Sequence, residues 1–152
     1  MSVMRTVVLG VGNVLMRDEG VGVRCVERLE REARLPPGVK VIDGGTSTHE
    51  LLEDLENLDL LVIVDAILAG KPPGTIVHFE GDAVPARFSN KMSPHQHGIN
   101  DLLAKLALLG RAPKRVVLIG VEPAQLELSL ELSDEVAAVL PVLCDRVVEA
   151  IA

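Results

Sequence analysis

The chain has 152 residues, the size of one domain and too short for two independent cores, so residues 1–152 are read as a single unit. Apolar residues make up 48% and charged residues 24%, a globular balance that excludes extensive disorder, and two Phe with no Tyr or Trp leave an aliphatic core and no platform for stacking bases or sugars. Fifteen basic against twenty-two acidic residues give a net charge of −7, which argues against nucleic acid and anionic membranes as partners.

The start, Met1-Ser-Val-Met-Arg5, leads into a strand-like segment rather than a signal peptide, and no apolar run approaches a membrane span; a cytoplasmic protein is expected. Four aliphatic runs read as buried strands: Arg5–Gly10, Val39–Asp43, Leu58–Asp65 and Lys114–Val121. Their hydrophobicity is continuous rather than alternating, as in parallel strands covered on both faces. Helical patterns fall between and after them, at about Glu19–Arg34, Ser47–Leu55, Pro94–Leu109 and Asp134–Ala152. The segment Gly74–Glu80 alternates and reads as an antiparallel edge strand. The fold class predicted is therefore α/β: a single-domain, three-layer sandwich with a mostly parallel twisted sheet, an antiparallel edge strand and helices on both faces. Gly81–Ser93 has no period and reads as a long loop of the kind that often carries function. Cys25 and Cys144 are far apart in sequence and sit in helix-like segments, which excludes a CxxC pair and reads best as two buried, inert thiols.

After the first strand comes Gly10-Val-Gly12-Asn13, and Asp43 closes the second strand, where a dinucleotide-binding protein places its phosphate turn and its ribose acid. Against that reading, Leu15 fills the sixth position of GxGxxG, and two carboxylates come soon after at Asp18 and Glu19, where they would crowd a pyrophosphate. A ligand-free tight turn is the simpler account. Counting back from Gly22, Val26 and Leu29 by helical spacing puts Glu19 on the inward face, with Asp18 available as N-cap. Asp65 ends the most hydrophobic strand at its carboxyl end, where open α/β sheets bind ligands. A 2-1-3 strand order would bring Glu19 and Asp65 together; the structural alternative is a strand-terminal Asp capping the next loop.

Among the histidines, His49 and His78 have no partner that can be named from sequence. Ser93-Pro94 marks a helix start, and the stripe Ile99, Leu102 and Leu106 extends back to His95, leaving His97 toward solvent. Glu19, Asp65 and His95 then form an oxygen, oxygen, nitrogen set suited to a borderline divalent metal such as nickel or zinc, with positions open for outside ligands. A Ser-His-Asp hydrolase is disfavoured, because no GxSxG turn occurs and Ser93 is a helix cap.

Five segments taken together, LGVGNVLMRDEGVGVR (Leu9–Arg24), DGGTSTHELLEDL (Asp43–Leu55), IVDAI (Ile63–Ile67), KMSPHQHGINDLL (Lys91–Leu103) and IGVEP (Ile119–Pro123), resemble the hydrogenase maturation endopeptidases. The resemblance implies an endopeptidase that removes the C-terminal extension of a nickel-iron hydrogenase large-subunit precursor once nickel is installed. It puts metal contacts on Glu19, Asp65 and His95, and substrate or loop support on Asp43. The nickel would be presented by the precursor, with no tightly bound cofactor on the enzyme itself, and Glu19 and Asp65 are candidates for catalytic work, the attacking nucleophile being unassigned. His97 departs from the more usual apolar residue after HQ. The alternatives are a nickel-sensing maturation chaperone that does not cleave, and a nucleotide-binding α/β protein.

Overall fold

The computed structural model describes residues 4–45, 51–81, 83–84 and 94–152, with only the backbone described at 94–98. Five strands form one sheet: β1 (Thr6–Val11), β2 (Val39–Gly45), β3 (Leu60–Ala66), β4 (Ile76–Glu80) and β5 (Arg115–Val121). Their order is β2-β1-β3-β5-β4, parallel throughout except for the β4–β5 pair. The 2-1-3 order and the antiparallel edge both match expectation. The three long helices are α1 (Val21–Arg31), α2 (Pro94–Leu108) and α3 (Asp134–Ile151).

The runs of β1 and β3 are continuous because each strand has a helical layer on both faces. Successive side chains point to opposite faces. Val8, Val62 and Val64 therefore join Cys25, Leu29, Val136 and Val147 under α1 and α3, while Val7, Leu9, Leu61 and Ile63 join Ile99, Leu102 and Leu106 under α2. The apolar stripe read for α2 is thus its buried face. By the same alternation Asp65 shares the α2 side of the sheet with Leu61 and Ile63.

Three expectations are corrected. The segment Glu19–Arg34 is not one helix: a 3-10 turn, Arg17–Gly20, precedes α1, which runs from Val21 to Arg31. The second strand does not close at Asp43 and is not fully buried. It lies at a sheet edge, leaves Lys40 and Asp43 exposed, and continues to Gly45 through a register shift that pairs Gly10 with Asp43 but Val11 with Gly45. Of the helix expected over Ser47–Leu55, residues 47–50 lie outside the described part, and the end of the segment is a 3-10 turn, Glu53–Leu55, that buries Leu55. Most of the loop Gly81–Ser93 also lies outside the described residues; Val84 within it is fully buried on the α2 side.

Candidate functional site

In this strand order the chain leaves β1 to either side, toward β2 and toward β3, so the switch point of the sheet lies between the carboxyl ends of β1 and β3. The connection from β1 to α1 is built by glycine and asparagine. Gly12 has φ +129, and a Cβ there would collide with the carbonyl oxygen of Glu19, so no other residue fits the turn. Asn13 Oδ1 accepts from the Leu15 amide at 2.9 Å, the local bond that makes Asn a turn residue. Gly22 is required for a different reason: a Cβ would strike the Val64 carbonyl, so α1 lies almost directly on β3.

The turn Arg17–Gly20 is held from outside. Arg17 has φ +48, a region that costs a non-glycine residue roughly 1–2 kcal/mol. Its amide donates to the Ser129 carbonyl at 3.0 Å, and the Ser129 amide donates to Leu15 at 2.9 Å, a two-bond bridge to the segment after β5. Arg17 Nε also lies 3.1 Å from Glu127 Oε1. Asp18 makes the larger contribution. It is completely buried; its Oδ2 accepts from the amides of Ala124 and Gln125 at 2.8 and 2.9 Å and from Ser133 Oγ at 2.7 Å, and its Oδ1 accepts the Ser133 amide at 2.8 Å. Four donors, three on Oδ2 and one on Oδ1, satisfy the carboxylate, and bonds to a charged group contribute about 1.5–3 kcal/mol each. Ser133 is in turn the N-cap of α3, accepting from Val136.

Asp18 is therefore not the N-cap of α1, a position held by Gly20 without a side-chain bond. It ties the β1–α1 connection to the start of α3. Sequence reasoning missed this role because the donors sit more than a hundred residues away, with no spacing signal to find them. The helical-phase argument for Glu19 is corrected too, because Glu19 belongs to the 3-10 turn and not to the 3.6-residue period of α1. It is half-buried, and its placement comes from the backbone of the turn.

Asp65 is completely buried at the penultimate position of β3, and its Oδ1 accepts the Ala66 amide at 2.8 Å. The same oxygen lies 3.5 Å from where a Cβ on Gly12 would stand, with the Glu19 carbonyl on the same glycine's side. Gly12 is thus the point at which the Asp65 carboxylate and the Glu19 turn converge. Asp43 is exposed on β2 opposite Gly10, one strand farther out. The backbone of His95 stands in the first turn of α2; its side chain and that of His97 lie outside the described residues, as do Thr46, His49 and Ser93. Among the described residues no group of three His, Cys, Asp or Glu side chains is arranged to hold a metal, a statement that does not reach His95. His78 does have a partner, Glu80 Oε1 at 3.3 Å.

A second buried carboxylate went unread in the IGVEP segment. Glu122, 4% exposed, accepts the amides of Ala69 and Lys71 at 2.9 and 2.7 Å and so shapes the loop after Asp65. Around this end of the sheet Leu15, Leu68, Leu128 and Leu130 are more than half exposed. At the opposite end, a cavity of about 450 Å³ lies between α2 and the start of β5, lined by Leu103, Ala107, Pro113, Lys114 and Arg115 among others, and remote from every candidate residue.

The geometry removes the dinucleotide reading. The second glycine of the turn, where a pyrophosphate would approach, is already covered by the Glu19 carbonyl, an acceptor that repels phosphate. What the fold and the buried Asp65 define is an α/β protein with a candidate site at the sheet's switch point, and the comparisons make it a peptidase. The family described as hydrogenase maturation protease matches over residues 23–150. The hydrogenase 2 maturation protease of Escherichia coli K12 is 46% identical over 97% of this chain and 91% of its own length; a hydrogenase expression/formation protein of Rhodobacter capsulatus is 48% identical over 81% of this chain, which spans 59% of that longer relative. Among solved structures, the hydrogenase maturating endopeptidase HybD from E. coli superposes with a TM-score of 0.92 at 44% identity, covering 97% of this chain and 92% of that one. A nickel-iron hydrogenase maturation protease from Thermococcus kodakarensis gives 0.81 at 31% identity, over 97% and 99%. The chain belongs to the hydrogenase maturation protease family.

Proposed function

We propose that this peptidase removes the C-terminal extension of a nickel-iron hydrogenase large-subunit precursor after nickel insertion, and that it recognises the precursor by the nickel the precursor carries. The observation that carries the reading is the buried Asp65 carboxylate meeting the Glu19 turn at Gly12, in a chain 46% identical to a hydrogenase 2 maturation protease. Glu19, Asp65 and His95 are the residues assigned to complete the coordination of the precursor's nickel, with Asp43 supporting the substrate-facing loop. Two carboxylates and one imidazole hold a borderline metal too weakly to retain it unaided, whereas a thiolate site in the substrate supplies the remaining ligands. Recognition and readiness then coincide, since a precursor without nickel offers nothing to complete. Leu15, Leu128 and Leu130, exposed beside the turn, provide apolar surface for a protein substrate. The setting proposed is the cytoplasm; no helix among the described residues is long and apolar enough to cross a membrane.

The test is incubation of chelator-treated enzyme with nickel-loaded and with metal-free precursor, and then intact mass measurement. Loss of the C-terminal peptide from the loaded precursor alone is the expected result. Cleavage of metal-free precursor by zinc-supplemented enzyme would show an ordinary metallopeptidase, and binding without any mass loss would show a chaperone.

A further inference from the structure

Cys25 and Cys144, 119 residues apart, meet with their sulfurs 3.6 Å from one another, and Cys144 Sγ lies 3.8 Å from the Cys25 carbonyl oxygen. Both are completely buried, Cys25 on the inward face of α1 beside Val26 and Leu29 and Cys144 on that of α3 beside Leu143 and Val147. As small hydrophobes they do nothing that Ala or Val would not do; face to face, they add chemistry. A disulfide needs the sulfurs at about 2.05 Å, a closure of roughly 1.5 Å that side-chain rotation and slight helix sliding supply. The seam between the helices is bordered by contacts that open readily: Arg24 Nη2 to the Leu130 carbonyl at 3.1 Å and Arg34 Nη2 to Asp145 Oδ1 at 2.7 Å, both ion-pair partners substantially exposed.

We propose that Cys25 and Cys144 form a redox modification site, at which hydrogen peroxide converts the two thiols into an intramolecular disulfide that staples α1 to α3. The hydrogen bond between the two sulfurs holds the Cys144 thiol below its ordinary value, with the Arg28 and Arg34 guanidiniums acting in the same direction. That same bond, and after it burial, pushes Cys25 far up. One thiol of the facing pair, as thiolate, makes the attack. It takes one peroxide oxygen as the O–O bond breaks, forming a sulfenic acid, and the other oxygen leaves as hydroxide and is protonated to water. The other thiol then loses its proton and attacks the sulfenic sulfur; the S–S bond forms, the S–O bond breaks, and a second water departs. Two thiols are oxidised and one peroxide is reduced to two waters. A peroxide is little larger than water and enters through transient opening of the seam.

This inference does not rest on the peptidase reading. The experiment exposes the folded full chain to hydrogen peroxide, removes the excess, unfolds it in the presence of an alkylating agent and measures intact mass. Wild type should lose the mass of two hydrogens and accept no alkyl group at either cysteine, and digestion should yield one linked pair of peptides. Because the bridge closes a long loop, Tm should rise by about 5–10 °C and return on adding dithiothreitol. Cys25→Ala and Cys144→Ala should each yield no linked peptides and show no rise in Tm after the same exposure. The proposal is overturned if both wild-type cysteines remain alkylatable after peroxide, or if oxidation proceeds to sulfinic acid with no linked peptides; both readouts come from wild type, so neither depends on a variant folding.

Discussion

The two ends of the sheet use charge in opposite ways. At the carboxyl end, Asp18, Asp65 and Glu122 are buried, and the partners identified for them are backbone amides and one serine hydroxyl. At the amino end, Glu56 with Arg111, Asp59 with Lys114 and Glu80 with Arg115 form partly exposed side-chain ion pairs, beside the cavity between α2 and β5. Buried carboxylates bonded to fixed amides are held in one geometry, because their partners cannot turn away; exposed pairs are screened and flexible, worth about 0–1 kcal/mol. Rigid placement of negative charge is what the proposed recognition of a metal requires, and the cavity at the other end, although roomy, offers only the exposed Glu80 carboxylate beside Lys114 and Arg115. Concavity by itself points to the end away from the proposed site.

Substitutions at the two ends should therefore separate by kind as well as by size. The largest effects belong to Asp65→Asn and Glu19→Gln, each expected to reduce precursor processing by about 10²- to 10⁴-fold while Tm changes little, because the carboxamide introduced by Asp65→Asn still presents an oxygen to the Ala66 amide. Processing within tenfold of wild type in both variants would move the functional end elsewhere. Asp18→Asn should instead unfold more easily, by about 2–4 kcal/mol in urea titration, since one carboxylate oxygen becomes a donor that faces donors; unchanged stability would mean that the ring of four bonds does not hold the turn. Glu122→Ala should cost less, about 1–3 kcal/mol, and accelerate hydrogen exchange at the Ala69 and Lys71 amides, a local effect absent from Asp18→Asn. Uniform protection across that loop in the variant would contradict its assignment.

The smallest effect belongs to the amino end. Bonds from the Arg5 amide and then from Lys114 hold the Asp59 carboxyl below its ordinary value. A group lowered in the folded state contributes stability at neutral pH and loses it as pH falls through that lowered value, below about pH 4. Asp59→Asn should flatten the acid limb of Tm against pH and leave the neutral range nearly unchanged, and salt should reproduce part of the flattening. A large loss at neutral pH would erase the contrast between the ends.

Much of this molecule was legible in its sequence, and the reason is local periodicity. The continuous apolar runs of β1 and β3, the alternation of Gly74–Glu80 and the stripe Ile99, Leu102 and Leu106 each record which faces are covered, because burial acts on every residue of an element in turn. The family segments, likewise, carry their identity in adjacent letters. Edge position and turn type were less plainly encoded: β2 has three aliphatic residues, with Lys40 and Asp43 between and after them, and lies at an edge, and Glu19 has the phase of a helix yet sits in a 3-10 turn, because the neighbouring strand and the clash at Gly12 decide these. The pairings of Asp18 with Ser133 and of Cys25 with Cys144 span over a hundred residues. A side chain's partner at that separation is chosen by how helices and strands pack, so only the tertiary structure could turn one apparent helix cap into a structural tie and two apparently inert thiols into a facing pair.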